Sequence, residues 1–229
     1  MHRFAVIGLG QLGSTIARTL AQRGAEVLAI DHREEPVNAI KDDVANAITM
    51  EAADARSLKA QNVHEMDAVV VAIGENFDGL LLTTVILMEM NCKRIIARAM
   101  TKHQKMILER IGIKEILSPE DEVSAAVAER LINPSVVSSL RLPDDYEIVE
   151  VKTPPKIANR PLIDLSLRRK YNLNLITVKR EFDVTKNNET FKEIHVLGVP
   201  RSDTVLFDTD TMLVMGKTKD IERFIEINQ

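Results

Sequence analysis

At 229 residues, with 30 Lys and Arg against 34 Asp and Glu for a formal net charge of −4, the chain suits one large or two small domains and argues against a nucleic-acid binder. Its one cysteine, Cys92, excludes an intrachain disulfide and fits a reducing cytoplasm. Residues 1–10 lack a secretory leader pattern, and the most apolar run, 79–90, is too short to span a bilayer, so no direct membrane insertion is expected.

In chain order, Phe4 to Ile7 reads as a buried strand that runs straight into Gly8-x-Gly10-x-x-Gly13. A helix is predicted over 12–23, and a second apolar strand over 26–30 ends at Asp31. Three glycines alone are a weak signal. A strand before them, a helix after them and an acid closing the next strand make it a strong dinucleotide-binding fingerprint. Gly8 permits the tight turn, Gly10 lets backbone N–H groups approach a pyrophosphate, and Gly13 lets helix and strand pack closely. The helix start then offers unpaired donors and partial positive charge to phosphates, and Asp31 can accept hydrogen bonds from ribose hydroxyls.

Further strands are predicted over 47–50, 68–72, 94–97 and 115–117, with helices near 34–42, 54–60, 77–90 and 101–111 between them. This alternation indicates an α/β fold: a Rossmann-like, doubly wound parallel sheet over residues 1–117. Ser118-Pro119-Glu120-Asp121 then opens another helix, with Ser118 as N-cap and Pro119 at the first helical position. Val123, Val127, Arg130 and Leu131 share a face of that helix, which follows a completed sheet and so calls for a partner such as a second subunit. Residues 118–141 are assigned to this helix and a connector, and 142–145 to a linker. Residues 142–229 read as a small α+β domain: a strand over 146–151, a short helix over 163–170, a strand over 172–180, a polar loop over 184–190, short strands over 193–197, 205–207 and 211–215, and a closing helix over 219–227.

Catalytic signals are weak by comparison. His64, His103 and His195 have no neighbours at metal-ligand spacing, no Gly-x-Ser-x-Gly elbow is present, and Cys92 has no evident His partner. The basic run 168–170 reads as a solvated helix end. Ligands of open α/β sheets bind at the carboxyl ends of the strands. That edge carries Glu51 and Ala52 after the third strand and Ala72, Ile73, Gly74 and Glu75 after the fourth. Arg98 closes the fifth, where it suits a phosphate or an acidic neighbour.

Several segments carry a family likeness: Phe4-Ala-Val-Ile-Gly-Leu-Gly10, Val69-Val-Val-Ala-Ile-Gly74, Leu82-Thr-Thr-Val85, Ser118-Pro-Glu120, Leu167-Arg-Arg-Lys-Tyr171 and Asp210-Thr-Met-Leu-Val-Met-Gly216. Together they resemble the RCK-type (KtrA/TrkA) cytosolic regulators of potassium transport, over almost the full chain. The resemblance implies a non-enzymatic, nucleotide-sensing subunit, with an RCK N-terminal and a smaller RCK C-terminal domain. It implies a cytoplasmic homodimer that assembles into an octameric ring beneath an integral-membrane potassium transporter and gates it by ligand exchange.

Carried onto this chain, the resemblance has Gly8, Gly10, Leu12 and Gly13 cradle phosphates and Asp31 hold ribose. Glu51 and Ala52 would lie by the adenine, and Ala72 to Glu75 would line the adenosine. Glu120 matches an acid at a dimer contact that holds a cation near the nucleotides, and the helix from Pro119 would swap between subunits. Cyclic di-AMP binds the smaller domain's dimer interface in some relatives. Gln11 departs from the basic residue that several relatives carry after the second glycine. This weakens the case for ATP, for which Arg98 is the compensating cation, and Glu51 stands where relatives often have Asp or Asn. His32 and Arg33 suit an extra phosphate, but Asp31 itself would repel a ribose 2′-phosphate; NAD(H), ADP and ATP all stay open. The rival readings are an NAD(P)-dependent oxidoreductase, which needs an acid/base group that the second domain does not offer, and an RCK-type sensor of another channel or antiporter.

Overall fold

Apolar strands that bury both faces need helices on each side, and this decides the architecture of the first half. A computed structural model describes residues 2–186 and 189–229. The chain divides into two units between Asp121 and Glu122.

The first unit runs β1 (Arg3–Ile7), α1 (Gln11–Gln22), β2 (Glu26–Asp31), α2 (Glu34–Asn38), β3 (Asn46–Thr49), α3 (Ala55–Ala60), β4 (Ala68–Val71), α4 (Phe77–Glu89), β5 (Ile95–Arg98), α5 (Lys102–Arg110) and β6 (Glu115–Leu117). The six strands form a parallel sheet in the order β3-β2-β1-β4-β5-β6. Strand order reverses between β1 and β4, and that crevice is the switch point at which such sheets bind ligands. One face packs Ile7, Ile30, Leu58, Val71, Leu80, Leu87 and Leu108 into a core. The other packs Val6, Ala17, Val27, Ile40 and Val70. Each fully buried Ile or Leu contributes about 1.5–3 kcal/mol over an exposed one.

Helix starts in this unit follow local chemistry. Asp54 caps α3 through Arg56 N and Ser57 N at 3.1 and 3.2 Å. Asn76 caps α4 through Gly79 N at 2.9 Å, and Thr101 caps α5 through Gln104 N at 3.2 Å. At α1 the N-cap is Gly10, and no side chain caps the helix.

The second unit takes up most of α6 (Pro119–Ile132) and continues with β7 (Val136–Arg141), β8 (Tyr146–Lys152), β9 (Arg160–Pro161), α7 (Leu162–Leu165), α8 (Leu167–Tyr171), β10 (Asn174–Lys186), β11 (Glu189–Val196), β12 (Val205–Leu206), β13 (Thr211–Lys217) and α9 (Thr218–Asn228). Its antiparallel sheet has the order β11-β10-β13-β8-β7. Val149, Val151, Val178, Met212 and Val214 meet Leu206, Ile221 and Phe224 in its core. On α6, Val123, Val127, Leu131 and Ile132 are exposed.

Three details differ from the sequence reading. Residues 136–141 form an edge strand instead of a connector. In the expected loop over 184–190, residues 184–186 and 189–190 are instead paired strands, part of the β10–β11 ladder that runs from Lys179–Val196 to Lys186–Glu189; residues 187–188 lie outside the described residues. The expected helix over 163–170 is split into α7 and α8 by Ser166, whose backbone is left-handed at φ 46°.

Candidate nucleotide site

The loop between β1 and α1 is built by close backbone approach. Gly8 has φ +91°, and a Cβ there would sit 2.8 Å from Ile73 N. A Cβ on Gly13 would lie inside any real contact distance of the Gly8 carbonyl oxygen, and 3.2 Å from Ala72 Cβ. The fold itself therefore requires these two glycines. Gly10 differs: a Cβ there would meet nothing within 4 Å. Its open side adjoins the uncapped start of α1, whose first turn carries no acidic residue. Gln11 is exposed and Leu12 half-buried beside it.

Asp31 closes β2 at 4% exposure. Its Oδ2 accepts from Leu9 N at 2.7 Å, and its Oδ1 from Arg33 N at 2.9 Å and Arg33 Nε at 3.2 Å. Arg33 Nη2 stands 3.5 Å from Oδ2, and His32 Nδ1 3.3 Å from Oδ1. Burial works to raise the Asp31 carboxyl, but the Arg33 side chain and the Arg33 and Leu9 backbone N–H groups outweigh it and hold it below the ordinary value. In return, Asp31 raises the Arg33 guanidinium, with smaller contributions from Glu35 and Glu75.

Along the same edge, Glu51 is exposed and Ala52 buried after β3. After β4, Ala72 is buried, Ile73 and Gly74 are half-buried, and Glu75 is exposed. Arg98, at the end of β5, lies against Gly74: a Cβ on Gly74 would be 3.1 Å from Arg98 Nη1 and 3.7 Å from Met100 Sδ. Arg98 Nη2 donates to Glu120 Oε1. The acidic neighbour that the sequence allowed Arg98 is Glu120. Arg98 Nε is buried with no partner among the described residues. The Glu120 carboxyl is lowered by its own backbone N–H and then by Arg98. Sequence reasoning missed Leu9 as the donor that fixes Asp31, although its place between Gly8 and Gly10 was the available signal.

A doubly wound sheet with a glycine loop after β1 and a buried acid closing β2 defines an α/β protein of the Rossmann type. The TrkA-N domain family matches residues 4–119, and the chain belongs to that family. It is 33% identical over 221 residues to the Ktr system potassium uptake protein C of Bacillus subtilis, covering 96% of this chain and 95% of that protein. It is 32% identical over 222 residues to the Ktr system potassium uptake protein A of the same organism, covering 97% and 95%. Among solved structures, the GsuK channel aligns with a TM-score of 0.67 at 12% identity, over 99% of this chain and 39% of that chain. The GsuK channel bound to NAD aligns at 0.54 and 16%, over 100% and 38%. This chain thus spans about two fifths of the channel's length, and the likeness to it is one of fold.

Proposed function

We propose that this protein is the nucleotide-sensing regulatory subunit of a membrane potassium-uptake system, with an adenine nucleotide held at the β1–α1 loop. The observation that carries the reading is Gly10. The fold explains Gly8 and Gly13 by clashes within the chain, but among the described residues nothing occupies the open side of Gly10. A pyrophosphate does so in this reading, taking the free N–H groups at the start of α1. Gly8, Gly10, Gln11, Leu12 and Gly13 face the phosphates, Asp31 the ribose, Glu51 and Ala52 the adenine, and Ala72 to Glu75 the adenosine. Two Ktr potassium uptake proteins that match over nearly their full length support the transport role, and a solved neighbour of the same fold bound to NAD supports the ligand class.

No helix of the described residues is long and apolar enough to cross a membrane. In this reading, action on potassium flux passes through an integral-membrane partner at the cytoplasmic face, without enzymatic turnover. The exposed apolar residues of α6 are the contact between paired subunits, and the pairs close into an octameric ring. A ligand shifts such a ring only through its differential affinity for two conformations. The Arg98–Glu120 pair sits where that difference can arise, because a terminal phosphate competes with Glu120 for Arg98. Among the described residues no group of three or more His, Cys, Asp or Glu side chains could hold a metal ion. In this reading a cation at Glu120 takes further ligands from phosphates or a second subunit. Cyclic di-AMP at the smaller domain's dimer contact is a further element of the reading.

The test is calorimetric titration of the purified protein with ADP, ATP and NADH, combined with native mass spectrometry and potassium flux in vesicles holding a Ktr-type membrane subunit. Binding of at least one nucleotide, an eight-chain assembly and nucleotide-dependent flux are expected. A monomer that binds none of the three would overturn the reading.

A further inference from the structure

We infer that Arg33 decides which ribose the site accepts, and that it admits adenosine carrying a 2′-phosphate as well as adenosine with a free 2′,3′-diol. This rests on the nucleotide reading of the glycine loop and deepens it. An acid at the end of β2 ordinarily selects the diol and repels a 2′-phosphate, whereas an arginine nearby accommodates one. Here both are present and already joined.

A carboxylate offers about four acceptor positions. Two on Asp31 are taken by backbone donors, Leu9 N at 2.7 Å and Arg33 N at 2.9 Å. The others face Arg33 Nε at 3.2 Å and Arg33 Nη2 at 3.5 Å. A ribose diol must therefore displace the Arg33 side chain before it reaches Asp31. The displacement is feasible, since that side chain is 56% exposed.

A 2′-phosphate needs no such displacement. Of the five N–H donors on a guanidinium, only those on Nε and Nη2 face Asp31, which leaves the rest free for phosphate oxygens. The Asp31 charge stays covered by the same arginine, with His32 Nδ1 at 3.3 Å beside it. Glu35 and Glu75 also act on Arg33. Without Arg33, the Asp31 carboxylate would meet the phosphate uncovered.

The experiment compares AMP with adenosine 2′,5′-bisphosphate, which differ only in the 2′-phosphate, by calorimetry on the full chain. In the wild type the bisphosphate is expected to bind within about tenfold of AMP, since the arginine offsets the acid. In Arg33→Ala the ratio should move against the bisphosphate by about tenfold or more, the size of one lost charge-assisted contact. AMP itself should bind more tightly to Arg33→Ala, because Asp31 is uncovered. Arg33→Lys, which keeps the charge but loses the fork, should fall between. A ratio unmoved by Arg33→Ala, or a wild type that binds AMP and rejects the bisphosphate, would overturn this inference and leave the nucleotide reading standing. Failure of the wild type to bind AMP, ADP or NADH would overturn both.

Discussion

Alanine at Gly10 separates ligand requirements from fold requirements within one loop. Gly10 has φ −68° and ψ −171°, angles open to any residue, and a methyl group there would touch none of the described residues. Gly10→Ala should therefore stabilise the unliganded protein by about 0.4–1 kcal/mol through loss of unfolded-state freedom. The same methyl group projects where a pyrophosphate would hydrogen-bond to the backbone. Forcing the phosphate away forfeits at least one charge-assisted bond, about 1.5–3 kcal/mol, or roughly tenfold to a hundredfold in affinity. Gly13→Ala should act in the opposite way. Its Cβ would overlap the Gly8 carbonyl oxygen and lie 3.0 Å from the carbonyl carbon. The backbone must shift, which costs about 1–3 kcal/mol or more. Urea unfolding of the free variants, paired with ADP titration, reads both quantities. If Gly10→Ala destabilises the free protein as Gly13→Ala does, or binds ADP as tightly as wild type, the open side of Gly10 is not the ligand's place.

Asp31→Ala should remove nucleotide binding and also destabilise the free protein by about 1–3 kcal/mol, because the buried Leu9 N–H loses its acceptor; equal urea midpoints would contradict this. Since the folded carboxyl titrates below its ordinary 3.8, its stabilisation is complete above that pH and is lost as pH falls through the folded value. The gap between wild type and Asp31→Ala should therefore narrow below pH 3.8, and a gap constant to the acid limit would refute the assignment. Asp210 is 1% exposed and holds Arg180 Nε at 2.7 Å and Nη2 at 2.6 Å, with the guanidinium 4.2 Å from the Phe207 ring centroid. Asp210→Ala strands that cation and should cost about 3–5 kcal/mol by chemical denaturation; a loss below about 1 kcal/mol would show that Arg180 finds other partners. Burial raises the Cys92 thiol above its ordinary 9.0. Its alkylation at neutral pH should thus be slower than that of free cysteine, which mass spectrometry of timed samples can check.

The doubly wound half was legible because its strands are buried on both faces and its glycines sit at fixed offsets. Val69, Val70 and Val71 can hardly be anything but a central strand. The second half hid wherever burial left no pattern. Only Val136 is buried in β7, the rest of that edge strand being exposed. The outer β10–β11 hairpin exposes most of its side chains, including Phe182, Phe191 and Ile194. Backbone pairing holds such segments, and pairing partners are not written in local alternation. At the site, Asp31 and the glycines were readable from spacing. The covering of Asp31 by Arg33, and the pairing of Arg98 with Glu120 across the end of the sheet, depend on side-chain placement that one-dimensional spacing does not encode.

The contacts of Gly8 and Gly13 have a mechanical consequence. Gly8 abuts Ile73, and Gly13 abuts Ala72, so the loop after β1 is clamped to the turn after β4 with no slack for a single methyl group. A compliant loop would absorb the strain of exchanging one ligand for another. A clamped one leaves the displacement to the turn after β4, which continues to Gly74, against which Arg98 lies. Under the proposed function, a substitution that loosens the clamp should leave a protein that still binds nucleotide but changes potassium flux less in the vesicle assay.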